Sequence, residues 1–330
     1  MNIGLVYDLR SEYLADGYFE EHVAEFDSES TIGELAGAIR ANGHEVDRVG
    51  RGRALARRLA DGERWDLVFT IAEGLDGRSR EAQVPALLEL YGVPYTFSDP
   101  LVCAVTLDKA VAKRLIISNG LPTPRFRLVR EAADLDNGNL DGMQLDYPLF
   151  VKPVAEGTGK GIDGQSRVES PGALRSVVLP LLDRLRQPVL VEEYLPGREF
   201  TTGILGSGAA ARVLGSMEIR ILPNASAADY SFDVKERCES CVEYTPLEHG
   251  RLRETVEALA LESYRVLECR DAGRVDIRLD RQDRPAFMEL NPLPGLHPTH
   301  SDLPMIAAQE GMAYKELIGS IIASAALRMG

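Results

Sequence analysis

Arg274, Asp276, Glu289 and Asn291 stand at alternate places in two strand-like runs, residues 273–279 and 287–292. The polar Asp280-Arg281-Gln282-Asp283-Arg284 lies between them. Period-2 alternation on both sides of a polar connection reads as a β-hairpin. Val275, Ile277 and Leu279 then share one face with Met288 and Leu290, and the opposite face gathers two carboxylates, an amide and a guanidinium. Such a set of hard oxygens suits Mg²⁺, or Mn²⁺ in its place, held by few protein ligands and completed by phosphate and water. Arg274 beside it would stabilise negative charge developing in a reaction. For these four residues alone, a solvated sheet face carrying an ion pair explains the pattern equally well.

Other parts of the chain supply what a phosphate site needs. Residues 148–153 form an apolar strand with Lys152 near its end, and Glu156-Gly157-Thr158-Gly159-Lys160-Gly161 follows. Three glycines in five residues free main-chain N–H groups for a close anion. The spacing is not that of a P-loop, because Val154 and Gly161 stand where that motif needs Gly and Ser or Thr. Lys109, after Asp108, offers a second cation. A further apolar strand, residues 189–193, runs through Glu192 and Glu193 into Tyr194, Leu195 and then Glu199. Its backbone could read an adenine edge, and Glu199 could take a ribose hydroxyl or a metal, although by itself an apolar strand with chance flanking acids explains the run.

These residues need a frame. The first hundred residues alternate strand and helix. The expected order is a strand at 2–7, an irregular acidic stretch at 8–30, a helix opened by a Thr31-x-x-Glu34 capping box, and strands at 45–49, 65–71 and 92–96. This is an open α/β unit whose ligands gather at the strand C-terminal ends. One helix is expected over 104–119, strands at 125–129, 149–152 and 189–193, a helix at 173–185 and a last helix at 314–327. The fold class is α/β, in part α+β, with domains at 1–100, 101–191 and 192–330. The chain has 330 residues, 45% of them hydrophobic and 27% charged, with net charge −14. That balance argues against nucleic-acid and membrane partners, and with no apolar run of spanning length the expected location is cytoplasmic. Cys238-x-x-Cys241 lacks a second pair of ligands at zinc spacing and reads as loop cysteines.

The order of the pieces resembles the ATP-grasp fold, and within it the D-alanine–D-alanine ligase family. The likeness is carried by Leu107-Asp108-Lys109, Lys113-Arg114-Leu115, Gly120-Leu121-Pro122-Thr123-Pro124, the Lys152 strand and glycine loop, the Glu192 strand, and residues 291–296 with His300-Ser301. It implies three-domain architecture and an ATP-dependent carboxylate–amine ligase working through an acyl phosphate, with two Mg²⁺ ions and a homodimeric assembly. By that resemblance Lys109, Lys152 and the loop at Glu156, Gly157, Thr158 and Gly159 hold ATP phosphates, while Glu192, Glu193, Tyr194, Leu195 and Glu199 hold the nucleoside. Asp276, Glu289 and Asn291 bind metal, Arg274 stabilises an oxyanion, Lys235 approaches the γ-phosphate, and Gly295 and Ser301 meet the second substrate.

The departures lie at the first-substrate end. Tyr7-Asp8-Leu9-Arg10-Ser11-Glu12 replaces a glycine-rich loop, Glu73-Gly74 replaces His-Gly, and Gly77-Arg78-Ser79-Arg80-Glu81 replaces Gly-Glu-Asp-Gly. Glu12 and Glu73 are expected to anchor a cation, and Arg78 and Arg80 to favour an acid carrying an additional negative group. D-alanine is then a poor first substrate. Two other readings compete: an ATP-binding module without turnover, and an ATP-grasp enzyme using a non-amine nucleophile. A degenerate site has no need for the full lysine, arginine and carboxylate set.

Overall fold

The computed structural model describes residues 1–136, 145–222 and 242–329. Lys235, Cys238 and Cys241 lie outside the described residues. Three sheets follow one another along the chain. The first holds β1 (Asn2–Val6), β2 (Glu45–Gly50) and β3 (Leu67–Thr70), all parallel in the order β2-β1-β3. Two helices, Glu29–Ala41 and Gly52–Ala60, make the crossovers. The first of these starts a turn earlier than the Thr31 capping box implies, because the Ser28 hydroxyl accepts the Thr31 N–H at 3.2 Å. The stretch expected to be irregular contains a helix, Arg10–Ala15, and a 3₁₀ turn, Glu20–Val23. Tyr13, Val23 and Phe26 form a small apolar cluster of their own beneath it. Residues 92–96 do not form a strand; only a Val68–Tyr95 bridge is made.

The second sheet holds β4 (Phe126–Val129), β5 (Leu149–Pro153), β6 (Arg167–Val168) and β7 (Val189–Glu193), antiparallel in the order β4-β7-β5-β6. Leu149, Val151, Val189 and Val191 pack against Leu174, Val178 and Leu181 of the helix Pro171–Leu185. Alternation therefore turns Lys152, Leu190 and Glu192 to the other face. The third sheet holds β8 (Glu199–Leu205), β9 (Arg212–Ile221), β10 (Val242–Pro246), β11 (Ala272–Leu279) and β12 (Pro285–Asn291). It is antiparallel, in the order β10-β9-β8-β11-β12.

Two differences from the sequence reading bear on the site. The hairpin β11–β12 forms, but with a register shift: Asp276 faces Glu289 while Ile277 faces Phe287. Met288 is the extra residue of a bulge, so Phe287 joins Val275, Ile277, Leu279 and Leu290 in the core and Met288 turns to the cleft. The single helix expected over 104–119 is two, Pro100–Leu107 and Lys109–Ser118. Asp108 breaks it with φ −83° and ψ 93°, and its carboxylate accepts the N–H groups of Ala110 and Val111. The break lets the second helix start at Lys109.

The last helix, Tyr314–Ala326, buries Leu317, Ile318, Ile321, Ile322 and Ala325 as its spacing implies. It does so against Ile32, Leu35 and Ile39 of the first crossover helix, so the chain's end completes the first sheet's core.

Candidate active site

The second and third sheets face each other across a cleft. A narrow part, about 80 Å³, is lined by Phe150, Lys152, Glu199, Asp276, Arg278 and Glu289, with Gly159 and Lys160 of the glycine loop. It opens past Lys109, Glu156 and Glu289 into a wider part of about 270 Å³. The wider part is lined by Arg274, Asn291, Gly295 and Ser301 and by Glu25, Glu73 and Glu81.

Lys152 and Glu192 stand on the cleft-side face of their sheet and pair at 2.8 Å. Lys113, fully buried on the helix Lys109–Ser118, meets the other Glu192 oxygen at 3.0 Å. Burial alone would raise the Glu192 carboxyl, but the two ammonium groups hold it below its ordinary range. Burial also disfavours the Lys152 ammonium, yet Glu192 and Glu289 raise it above the usual lysine value. Lys113 is pushed down to about 8, by burial first, against the pull of Glu192. The Glu192 side chain is thus the counter-ion of two lysines. Sequence reasoning did not find the role of Lys113, since a helix lysine reads as solvated.

Lys109 Nζ donates to the Glu156 carbonyl at 2.5 Å and lies 3.5 Å from Glu289. The loop after β5 is fastened from several sides. Gln187 donates to the Glu156 carboxylate at 2.5 Å and Lys160 pairs with it at 3.0 Å. Glu25 accepts the Gly157 N–H at 2.5 Å, and a Cβ at Gly157 would lie 2.7 Å from the same carboxylate, so a larger residue there would push the Glu25 side chain aside. Thr158 adopts φ +51°, a rare conformation for a β-branched residue.

Asp276 and Glu289 are direct cross-strand partners, and Arg274 is the partner of Asn291. Arg274 donates to Asp302 at 2.7 Å and to Asp276 at 3.1 Å. Asn291 Oδ1 accepts the Leu293 N–H at 3.0 Å. Among the described residues no group of three or more His, Cys, Asp or Glu is placed to hold a metal ion by itself. Two paired carboxylates with one amide oxygen fit a hard divalent ion that takes its remaining ligands from phosphate and water. Gly295 and Ser301 come together at the wider end; a Cβ at Gly295 would stand 2.7 Å from Ser301 Oγ.

On the nucleoside side, Tyr194 and Leu195 are buried. The guanidinium groups of Arg167 and Arg278 lie over the Tyr194 ring, 4.5 and 5.0 Å from its centroid, and its hydroxyl accepts from Arg278 at 3.1 Å. Glu199 lies 3.6 Å from Arg278. Arg278 was missed from the sequence, although its alternation with Arg274 and Asp276 places it on their face. Glu193 points the other way, accepting from Arg125 Nε at 3.0 Å and from the Asp146 N–H at 2.8 Å. Its side chain does not line the cleft.

The first-substrate end differs most from expectation. Glu12 sits on the helix Arg10–Ala15 and pairs with Arg51 at 2.8 Å, outside the cleft lining. The carboxylate that reaches the cleft from this segment is Glu25, delivered by the turn after the 3₁₀ element. No periodicity marks that stretch, so nothing in the sequence singled Glu25 out. Arg78 and Arg80 do not face a substrate together. Arg78 is 73% exposed and pairs with Asp108 at 2.6 Å; Arg80 is buried, pairs with Glu25 at 2.8 Å and donates to the Ala155 carbonyl at 2.7 Å. Both guanidinium groups already hold a carboxylate, which removes the basis for an additional negative group on the substrate. Glu73 does reach the cleft as expected.

Comparison with known proteins adds to this geometry. A family model described as D-ala D-ala ligase C-terminus matches residues 115–323. The D-alanine–D-alanine ligase of Bordetella pertussis is 35% identical over 278 residues, covering 84% of this chain and 83% of that protein. An uncharacterized protein, y4sG, of Sinorhizobium fredii is 33% identical over 262 residues, covering 78% of this chain and 73% of its own length. Among solved structures, the D-alanine–D-alanine ligase from Bacillus anthracis complexed with ATP superposes with a TM-score of 0.76 at 24% identity, over 100% of this chain and 98% of that one. That likeness carries the fold, the three-domain ATP-grasp architecture. Among the described residues no helix is long and apolar enough to cross a membrane.

Proposed function

This chain belongs to the D-alanine–D-alanine ligase family and is an ATP-dependent ligase; from that premise we propose that it joins a carboxylate to an amine through an acyl phosphate, with a first substrate other than D-alanine. The observation that carries the reading is the continuous cleft in which Lys109 and Glu289 border both the narrow and the wider part. A phosphoryl group held beside Lys109 would lie at the junction between nucleotide and substrates.

ATP lies in the narrow part, between the two antiparallel sheets. Lys152 and Lys109 bind its phosphates, and the loop Glu156, Gly157, Thr158 and Gly159 borders them, the Gly157 N–H being held by Glu25. Glu192 keeps Lys152 charged and fixed, and Lys113 shares that carboxylate. Tyr194, Leu195 and Glu199 border the nucleoside. Asp276, Glu289 and Asn291 would hold divalent ions, whose chemistry is to neutralise phosphate charge during transfer. The substrate carboxylate oxygen attacks the γ-phosphorus; the bond to the β-bridging oxygen breaks, giving ADP and an acyl phosphate. The amine then attacks the acyl carbon, and Arg274 stabilises the oxyanion of the tetrahedral intermediate until phosphate leaves. Gly295 and Ser301 border the amine substrate. Lys235 is assigned near the γ-phosphate by resemblance alone. Domain limits at 100 and 191 are part of the same reading; the second falls inside β7 (Val189–Glu193), and the helix Tyr314–Ala326 returns to the core of the first sheet.

Hydroxylamine in place of the amine substrate tests the intermediate. With ATP, Mg²⁺ and a panel of amino acids, an acyl phosphate yields a hydroxamate together with stoichiometric ADP, read by mass spectrometry. ATP binding with no hydroxamate or ADP from any acid would leave a nucleotide-binding module instead.

A further inference from the structure

Two acids remain once the ligase roles are assigned. Glu73 follows β3, and Glu81 sits in the 3₁₀ turn Arg80–Ala82; both line the wider part of the cleft with Glu25. Glu25 is compensated by Arg80 and the Gly157 N–H. Among the described residues neither Glu73 nor Glu81 has an ion-pair partner. Glu81 is 8% exposed, and its Oε2 has no hydrogen-bond partner. The cations nearby are committed elsewhere: Arg80 to Glu25 and the Ala155 carbonyl, Lys109 to the Glu156 carbonyl and Glu289. Buried carboxylates without partners are costly to keep ionised, and a ligand that brings positive charge removes that cost.

We propose that Glu73 and Glu81 form a cation subsite, and that the carboxylate-donating substrate is a basic amino acid with a side-chain ammonium or guanidinium besides its α-ammonium. The inference rests on the ligase reading above. Its arithmetic is simple. Glu25 and Arg80 cancel, the α-ammonium offsets one of the two remaining charges, and a second cation offsets the other. Arg274, which lines the same part of the cleft, suits the carboxylate that is to be activated.

The charge states fit a site that waits for a cation. Burial, then repulsion from Glu81, Glu25 and Asp27 set against Arg80, pushes Glu73 well above its ordinary value. Glu81 is raised to about 7 by burial, with Glu25 adding and Arg80 and Lys109 opposing. A bound cation ionises both acids, so basic donors bind more tightly as pH rises through about 7.

The hydroxylamine assay isolates this substrate, because no second amino acid is present. Alanine, 2,3-diaminopropionate, ornithine, lysine and glutamate, each in both enantiomers, are compared as donors. The best basic donor should exceed alanine of the same handedness by at least about tenfold in kcat/KM. Glu73→Gln and Glu81→Gln should each reduce that selectivity by about 10- to 100-fold, the worth of one charged hydrogen bond. The wild-type rise with pH near 7 should flatten in Glu81→Gln. Glu81→Gln removes an unpaired buried charge and Glu73→Gln an unpaired, partly buried one, so folding is retained, as a melting curve would verify. Alanine or glutamate matching the basic donors in the wild type, or variants that lower all donors alike, would overturn the subsite and leave the ligase reading standing. No hydroxamate from any donor would remove both.

Discussion

The two ends of the cleft handle buried carboxylates in opposite ways. At the nucleotide end, Glu192 is fully buried but lies between Lys113 and Lys152, at 3.0 and 2.8 Å. At the substrate end, Glu25, Glu73 and Glu81 line the same part of the cleft, and among the described residues only Glu25 of the three has its cation. A nucleotide brings negative charge, and its end meets it with Lys113 and Lys152 already assembled around one carboxylate. The other end is short of positive charge, which a substrate can supply. Compensation thus marks which ligand charge each half was built to receive.

The largest effect expected is at the junction of the halves. Asp276→Asn or Glu289→Gln should lower ADP formation by at least about 100-fold, the scale of losing charge stabilisation at a reacting phosphate. Stability should change little, since each substitution relieves a like-charged cross-strand pair. Turnover near that of the wild type at ordinary Mg²⁺ would detach these residues from the reaction.

Next comes Lys152→Met. It keeps the stem's packing and removes one charged contact to phosphate, weakening ATP binding by about 1.5–3 kcal/mol in calorimetry. Lys113 still balances Glu192 in this variant, so the melting temperature should fall far less than the affinity does. Unchanged affinity would reduce Lys152 to a structural partner of Glu192. The smallest effect belongs to Arg78→Ala. Its side chain is 73% exposed, and a pair of that kind contributes about 0–1 kcal/mol. A severe loss of activity would mean that Arg78 touches substrate after all.

The same contrast explains what the sequence could tell. Strands and helices with clean periodicity were legible: β7 fell on residues 189–193 and the last helix began at Tyr314, because burial of one face dictates the pattern. Lys109, Lys152, Asp276 and Glu289 were legible as a set because strand alternation and a glycine loop fix where they point. The Met288 bulge was not, since an extra residue in one strand leaves no mark on a period-2 pattern. The break at Asp108 was hidden in a continuous helical pattern, although an aspartate ahead of a helix is a capping signal. Glu25 could not be found, because the turns that carry it are held by tertiary contacts to Arg80 and Gly157 rather than by local propensity. Arg78 and Arg80 looked alike in sequence, and only packing separated a buried partner of Glu25 from an exposed partner of Asp108.

The contrast is tested most directly by thermal melting of Glu192→Gln and Glu81→Gln beside the wild type, at pH 8 and at pH 4.5. The folded protein holds Glu192 below its unfolded value, so its stabilising contribution is present at pH 8 and lost as pH falls. Glu81 is raised to about 7, so its cost is full at pH 8 and gone near pH 4.5. At pH 8, Glu192→Gln should therefore lose about 3–5 kcal/mol, as two buried lysines are left without their counter-ion. Glu81→Gln should gain on the order of 2 kcal/mol at pH 8, and that gain should vanish at pH 4.5. Shifts of the same sign for the two variants at pH 8 would contradict the account.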